Sequence, residues 1–140
     1  MSATACASGA LTADAGAAPT TSADLPDRLR RLEATLRGFA EERDWGQFHT
    51  PKNLAAALIV EAAELLEHFQ WLTPEQSSTL PAQTREAVAR EMADVFLYLL
   101  RLAQVQGVDL LAAAEAKLAD NARRYPLESS RGSCAKSNLP

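Results

Sequence analysis

Apolar positions recur along most of the chain at helical spacing. Leu29, Leu32, Leu36, Phe39 and Ala40 repeat every three to four residues and predict a first helix over residues 24 to about 43. Asp24 suits its N-cap and Pro26 its first turn. The period breaks at Asp44-Trp45-Gly46-Gln47-Phe48-His49, which reads as a loop. Thr50 then caps a second helix, and Pro51 takes its first position, where a missing N–H costs nothing; the pattern runs to about residue 70. A polar connection carrying Pro74 and Pro81 follows. A third helix spans roughly residues 84 to 106 and stops at Gly107, a residue suited to the left-handed position after a helix. Asp109 caps a fourth, which ends near Arg124 before Tyr125-Pro126. No credible strand and no internal repeat is visible. The expected class is all-α, a four-helix bundle over residues 25–126, preceded by a low-complexity segment at 1–24 and followed by a polar tail at 127–140.

The second and third helices each carry an apolar stripe interrupted by two acids. One reads Leu54, Ala57, Leu58, Glu61, Glu64, Leu65, His68; the other reads Ala87, Val88, Glu91, Asp94, Val95, Tyr98, Leu102. Residues three apart are neighbours on a helix, so each pair points at one spot, and facing helices would bring all four carboxylates together. Two carboxylates about 5 Å apart repel by roughly 3 kcal/mol at an effective dielectric near 20. The positions four residues beyond these acids hold Leu65, His68, Val95 and Tyr98, none of which is a neutralising Lys or Arg. Protonation or a cation must relieve such a cluster. An all-oxygen donor set suits Mg²⁺, with Mn²⁺ as substitute, whereas zinc favours His or Cys. The competing reading is two solvated acidic faces, which surface helices often carry. A carboxylate-bridged di-iron site wants Glu-x-x-His on two helices; here Glu64 is followed three residues later by Glu67, and His68 is one position out of register.

Composition narrows the setting. A net charge of −4, from 18 acidic and 14 basic residues, gives no basic footprint for a nucleic-acid polymer. No apolar run approaches the roughly 18 to 20 residues that span a bilayer. Residues 1–24 are an Ala/Ser/Thr background that cannot bury enough apolar surface to offset ordering entropy, and they lack the basic start and apolar core of a secretory signal. Cys6 and Cys134 have no second Cys or His at ligand spacing, so neither zinc nor a disulfide framework is expected. The expectation is a cytoplasmic protein.

Glu61-x-x-Glu64, followed after 26 residues by Glu91-x-x-Asp94, resembles the signature of the MazG-like all-α pyrophosphohydrolases. Glu42-Arg43-Asp44-Trp45-Gly46-Gln47-Phe48-His49-Thr50-Pro51-Lys52-Asn53-Leu54 is similar to the dCTP pyrophosphatase branch of that family. So are Phe69-Gln70-Trp71, Asp94-Val95-Phe96-Leu97-Tyr98-Leu99, Asn121 with Arg124-Tyr125-Pro126, and Ser130-Arg131-Gly132-Ser133. The resemblance covers nearly everything from residue 25 onward and none of residues 1–24.

The resemblance implies cleavage of a deoxynucleoside triphosphate between the α and β phosphates, releasing pyrophosphate. Glu61, Glu64, Glu91 and Asp94 would hold Mg²⁺ against the triphosphate, and one of the four could serve as general base. Trp45, His49, Trp71 and Tyr98 match positions around the nucleoside, where aromatic faces stack on bases. The two tryptophans could equally plug helix ends, and His49 could be a loop hydrogen-bonder. Lys117, Asn121 and Arg124 match phosphate contacts, although a basic helix C-terminus is also ordinary dipole chemistry. Asn53, three residues after the Thr50 cap, is a candidate structural residue. Leu36 stands where the mammalian-type branch has a His, and Ala119 and Ala122 replace polar residues; both departures bear on base choice. Family members assemble as dimers or tetramers, and a homotetramer is the expected homo-oligomer; the apolar circumference of the second and third helices, which four short helices cannot cover, agrees with assembly. The readings left open are dCTP or 5-methyl-dCTP hydrolysis, the same fold acting on dUTP or damaged triphosphates, and a non-catalytic helical binding module.

Overall fold

The computed structural model describes residues 25–132; the segment 1–24 with its Asp24 cap, both cysteines and the end of the tail lie outside the described residues. Every element is helical among the described residues: α1 (Leu25–Glu41), a 3₁₀ turn (Trp45–Gln47), α2 (Pro51–Glu67), α3 (Pro74–Ser77), α4 (Ala82–Gln106), α5 (Leu110–Arg124) and α6 (Leu127–Ser130). The expected caps form. Thr50 accepts from the Asn53 backbone N–H with Pro51 at the first helical position, Asp109 accepts from Ala112, and Gly107 closes α4 with a left-handed φ of 64°.

The boundaries differ from the periodicity in places, each for a local reason. α2 stops at Glu67 rather than near residue 70, where the Phe69 N–H donates to the Leu66 carbonyl three residues back and tightens the last turn. α4 begins at Ala82, directly after Pro81, two residues earlier than apolar spacing indicates. The polar connection contains α3, started by a reciprocal capping box between Thr73 and Gln76. The tail begins with the short helix α6, with Pro126 as its N-cap.

α2 and α4 form the principal packed pair, with α1 laid against α4. Leu54 from α2 and Leu100 from α4 are almost wholly enclosed, joined by Ala40, Val88 and Ala103. α5 behaves differently. It leaves α4 at an angle of 102° and contributes no buried residue. No single helix among the described residues is long and apolar enough to cross a membrane.

Candidate active site

The two acidic stripes face each other across the α2–α4 seam. Carboxylate oxygens of Glu61, Glu64 and Glu91 lie within 4.8 Å of one another. Glu61 and Glu91 are half-buried and Glu64 is exposed, so the cluster opens to solvent on one side. Partial burial first, and then the charges of Glu64, Asp94 and Glu91, push the Glu61 carboxyl above its ordinary range. These are hard oxygen donors with no His or Cys among them, and negative charge is left unrelieved. That donor set fits a small divalent cation.

Asp94 is not one of the three clustered acids. Its charge reaches Glu61, and its side chain lines an adjoining cavity of about 250 Å³. Leu36, Phe39 and Ala40 of α1, Trp45 and His49 of the loop, and Leu97, Tyr98 and Arg101 of α4 complete the lining. Edge-to-face contacts organise its aromatic side: the Phe39 and Trp45 rings lie 5.5 Å apart, and Trp45 and His49 5.7 Å apart. The Arg43 guanidinium covers the Phe39 ring at 3.6 Å.

Short-range hydrogen bonds hold the loop that carries Trp45 and His49. Asp44 takes a left-handed φ of 50°, and Gln47 Nε2 donates both to its carbonyl and to its carboxylate. The His49 backbone N–H donates to the Trp45 carbonyl at 3.0 Å. Asn53 Nδ2 donates to the Phe48 carbonyl at 2.9 Å, tying the loop to the first turn of α2 and giving Asn53 its structural role.

Residues 57–138, which contain all four acids, match the model of the MazG-like family. The chain belongs to the MazG-like family. It is 45% identical over 115 residues to dCTP pyrophosphatase 1 of Bos taurus, a match spanning 80% of this chain and 66% of that protein. With dCTP pyrophosphatase 1 of Homo sapiens it shares 44% over 110 residues, or 77% of this chain and 63% of the human one. The matched region thus spans about two-thirds of the length of these curated relatives. Among solved structures, a pyrophosphatase from Archaeoglobus fulgidus superposes with a TM-score of 0.68 at 38% identity, covering 71% of this chain and 93% of that one.

Within one copy of this MazG-like chain, the residues expected at the site divide into two groups. Glu61, Glu64 and Glu91 cluster; Asp94, Trp45, His49 and Tyr98 line the cavity beside them. Trp71 does not line it: it sits on the turn after α2 with 87% of its surface exposed. Lys117, Asn121 and Arg124 do not line it either, because α5 is turned away; Arg124 Nε is enclosed there without a hydrogen-bond partner. Periodicity missed Arg101, a cavity residue. The signal was present: Asp94, Tyr98 and Arg101 follow i, i+4, i+7 spacing, which continues the acidic stripe of α4 onto a cation.

Proposed function

We propose that the protein is a nucleoside triphosphate pyrophosphohydrolase that converts dCTP, and modified cytosine deoxynucleotides, to the monophosphate and pyrophosphate. The observation that carries this reading is the place of Asp94, which contributes both to the acidic field at Glu61 and to the wall of the aromatic cavity. A ligand with a flat base in the cavity would extend its phosphates toward the carboxylates. The relatives named dCTP pyrophosphatase 1 support that choice of ligand.

Glu61, Glu64, Glu91 and Asp94 would hold Mg²⁺, or Mn²⁺ in its place, which supplies neutralisation of the triphosphate and a more acidic attacking water. The chain supplies the rest. Trp45 and Tyr98 offer aromatic surface for the base, while Leu36, Phe39 and Leu97 exclude water around it. Displacement at phosphorus depends mostly on positioning and charge stabilisation, so direct attack by water, with a carboxylate accepting its proton, needs no covalent intermediate.

The assembly belongs to the same proposal: a homo-oligomer, a tetramer in preference to a dimer. Ile59, Leu118 and Trp71 are 70%, 68% and 87% exposed, more apolar surface than a single chain should leave in water. A neighbouring copy packed there would complete each site with Trp71 and with Lys117, Asn121 and Arg124. Light scattering after size exclusion should give about four times the 15.1 kDa chain mass.

The deciding experiment is pyrophosphate release from a panel of dNTPs and NTPs with Mg²⁺, comparing the native protein with Glu64→Ala. The expected result is dCTP as best substrate and a loss of roughly 10²–10³-fold in the variant. No turnover of any triphosphate by well-folded, assembled protein would overturn the enzyme reading and favour a binding module.

A further inference from the structure

Arg101 is a half-buried cation in a mostly apolar cavity, and it takes part in none of the ion pairs among the described residues, which are Arg30–Asp27, Arg43–Glu42 and Arg123–Asp120. A guanidinium held there without a carboxylate partner is expensive unless other groups satisfy it. Polar side chains do so. Arg101 Nη1 donates to Gln104 Oε1 at 3.0 Å, and Gln104 Nε2 donates in turn to the Glu33 carbonyl of α1 at 2.7 Å. Arg101 Nε donates to His49 Nδ1 at 3.1 Å. Three hydrogen bonds thereby connect the α1 backbone, α4 and the Trp45–His49 loop.

The last of these bonds has a chemical consequence. A guanidinium carries donors only, so the nitrogen it donates to must present a lone pair. His49 Nδ1 is therefore unprotonated, and the proton of the neutral ring resides on Nε2. Burial and the adjacent Arg101 charge also hold the imidazole below its ordinary pKa, which favours the neutral ring. The His49 backbone N–H bond to Trp45 and the Asn53 clamp on Phe48 hold the segment that carries the ring.

We infer that Arg101 is a positioning residue for base recognition: it locks His49 as the Nε2–H tautomer, so that Arg101 and His49 present donors, and no acceptor, to the base. This inference rests on the nucleotide reading above. Cytosine offers adjacent acceptors at O2 and N3 and satisfies a donor-only wall. Uracil and thymine place an N3–H between their carbonyls and leave one donor facing another. The pair thus discriminates among pyrimidines by hydrogen-bond polarity, while Trp45 and Tyr98 supply stacking surface that every base can use.

Two measurements on the full chain test this. Long-range ¹H–¹⁵N spectra of the imidazoles read the tautomer directly, and with two histidines in the chain, His68→Gln assigns them. The native protein should show His49 Nδ1 unprotonated; Arg101→Met should give an averaged mixture of tautomers, and Arg101→Lys, which keeps a donor, should restore part of the native spectrum. Protonated Nδ1 in the native protein, or a spectrum unchanged in a folded Arg101→Met variant, overturns the inference. In steady-state assays Arg101→Met should raise KM for dCTP about 10-fold, with kcat changed less than about twofold, and narrow the preference for dCTP over dUTP. Equal losses on every dNTP would reduce Arg101 to a packing role and overturn the inference. A native protein inert toward all triphosphates would instead overturn the proposed function, while the spectra, which need no turnover, still decide the Arg101–His49 pairing.

Discussion

The α1–α2–α4 unit and α5 are built from similar material and reach different ends. The former encloses Leu54 and Leu100, closes the Trp45–His49 loop with side-chain hydrogen bonds, and presents a carboxylate cluster beside a shaped cavity. α5 is as well capped as the other helices, yet none of its residues is buried, and Leu111 and Leu118 are more than half exposed. Local signals are therefore enough to form a helix, but only a facing surface determines where it docks. The candidate site residues divide the same way: Glu61, Glu64, Glu91 and the cavity lining lie together on the first unit, whereas Lys117, Asn121 and Arg124 lie on α5, away from them.

Charging the apolar face of α5 should perturb the protein most. Leu118→Asp should dissociate the assembly, since burying a carboxylate in an apolar interface costs about 3 kcal/mol or more, roughly 100-fold in the association equilibrium. Turnover should fall with it, while circular dichroism still reports the α1–α2–α4 helices. Unchanged mass and activity would show α5 to be a solvated appendage. A matched pair then sharpens the contrast. Leu100→Ala should cost about 2–5 kcal/mol in denaturant unfolding at any protein concentration, as in other enclosed leucines. Leu118→Ala should destabilise only through assembly, with an effect that grows on dilution.

How much of this was legible in sequence also divides by region. Helix ends marked by Thr50-Pro51, Gly107 and Asp109 were readable because each cap uses a short-range bond with a known residue preference. The acidic cluster was readable because charge on an apolar stripe has few structural explanations. The compact 3₁₀ turn at Trp45–Gln47 was not, because it depends on Asp44 adopting a left-handed φ and on Gln47 reaching back to it. Arg101 was missed for a related reason: its partners are His49, 52 positions away, and the Glu33 backbone by way of Gln104, 71 positions from it. The angle of α5 has no local signal, since an amphipathic helix looks the same whether its partner is its own chain or another copy.

Titration separates the carboxylate cluster from the cavity wall in the metal-free protein. Glu61 is raised above its ordinary 4.5, so above that pH the folded chain holds a proton the unfolded chain has lost, and stability falls as pH rises through the folded value. His49 is lowered from its ordinary 6.5, so below 6.5 the unfolded chain holds the extra proton, and stability rises with pH up to that point. Thermal melts with chelator across about pH 4 to 8 should therefore carry opposing slopes. Glu61→Gln should remove the falling limb alone, and His49→Gln the rising limb alone. Saturating Mg²⁺ should abolish the Glu61 limb by neutralising the cluster, whereas persistence of that limb in Mg²⁺ would mean the acids do not bind the ion.

The join between loop and helix should respond least to substitution. Asn53 makes one side-chain bond outside its own helix, to the Phe48 carbonyl, and it is exposed, so water can replace the lost donor in Asn53→Ala. The stability loss should be about 1 kcal/mol or less. Function should change more than stability does, because the same bond holds the turn that places Trp45 and His49 on the cavity wall. KM for dCTP should rise several-fold with kcat nearly constant, and Asn53→Asp, which offers no donor to a carbonyl, should behave like the alanine variant. An unaltered KM in both would mean that Gln47 and the His49–Trp45 backbone bond suffice to hold the loop, leaving Asn53 as a helix-start residue with no hand in binding.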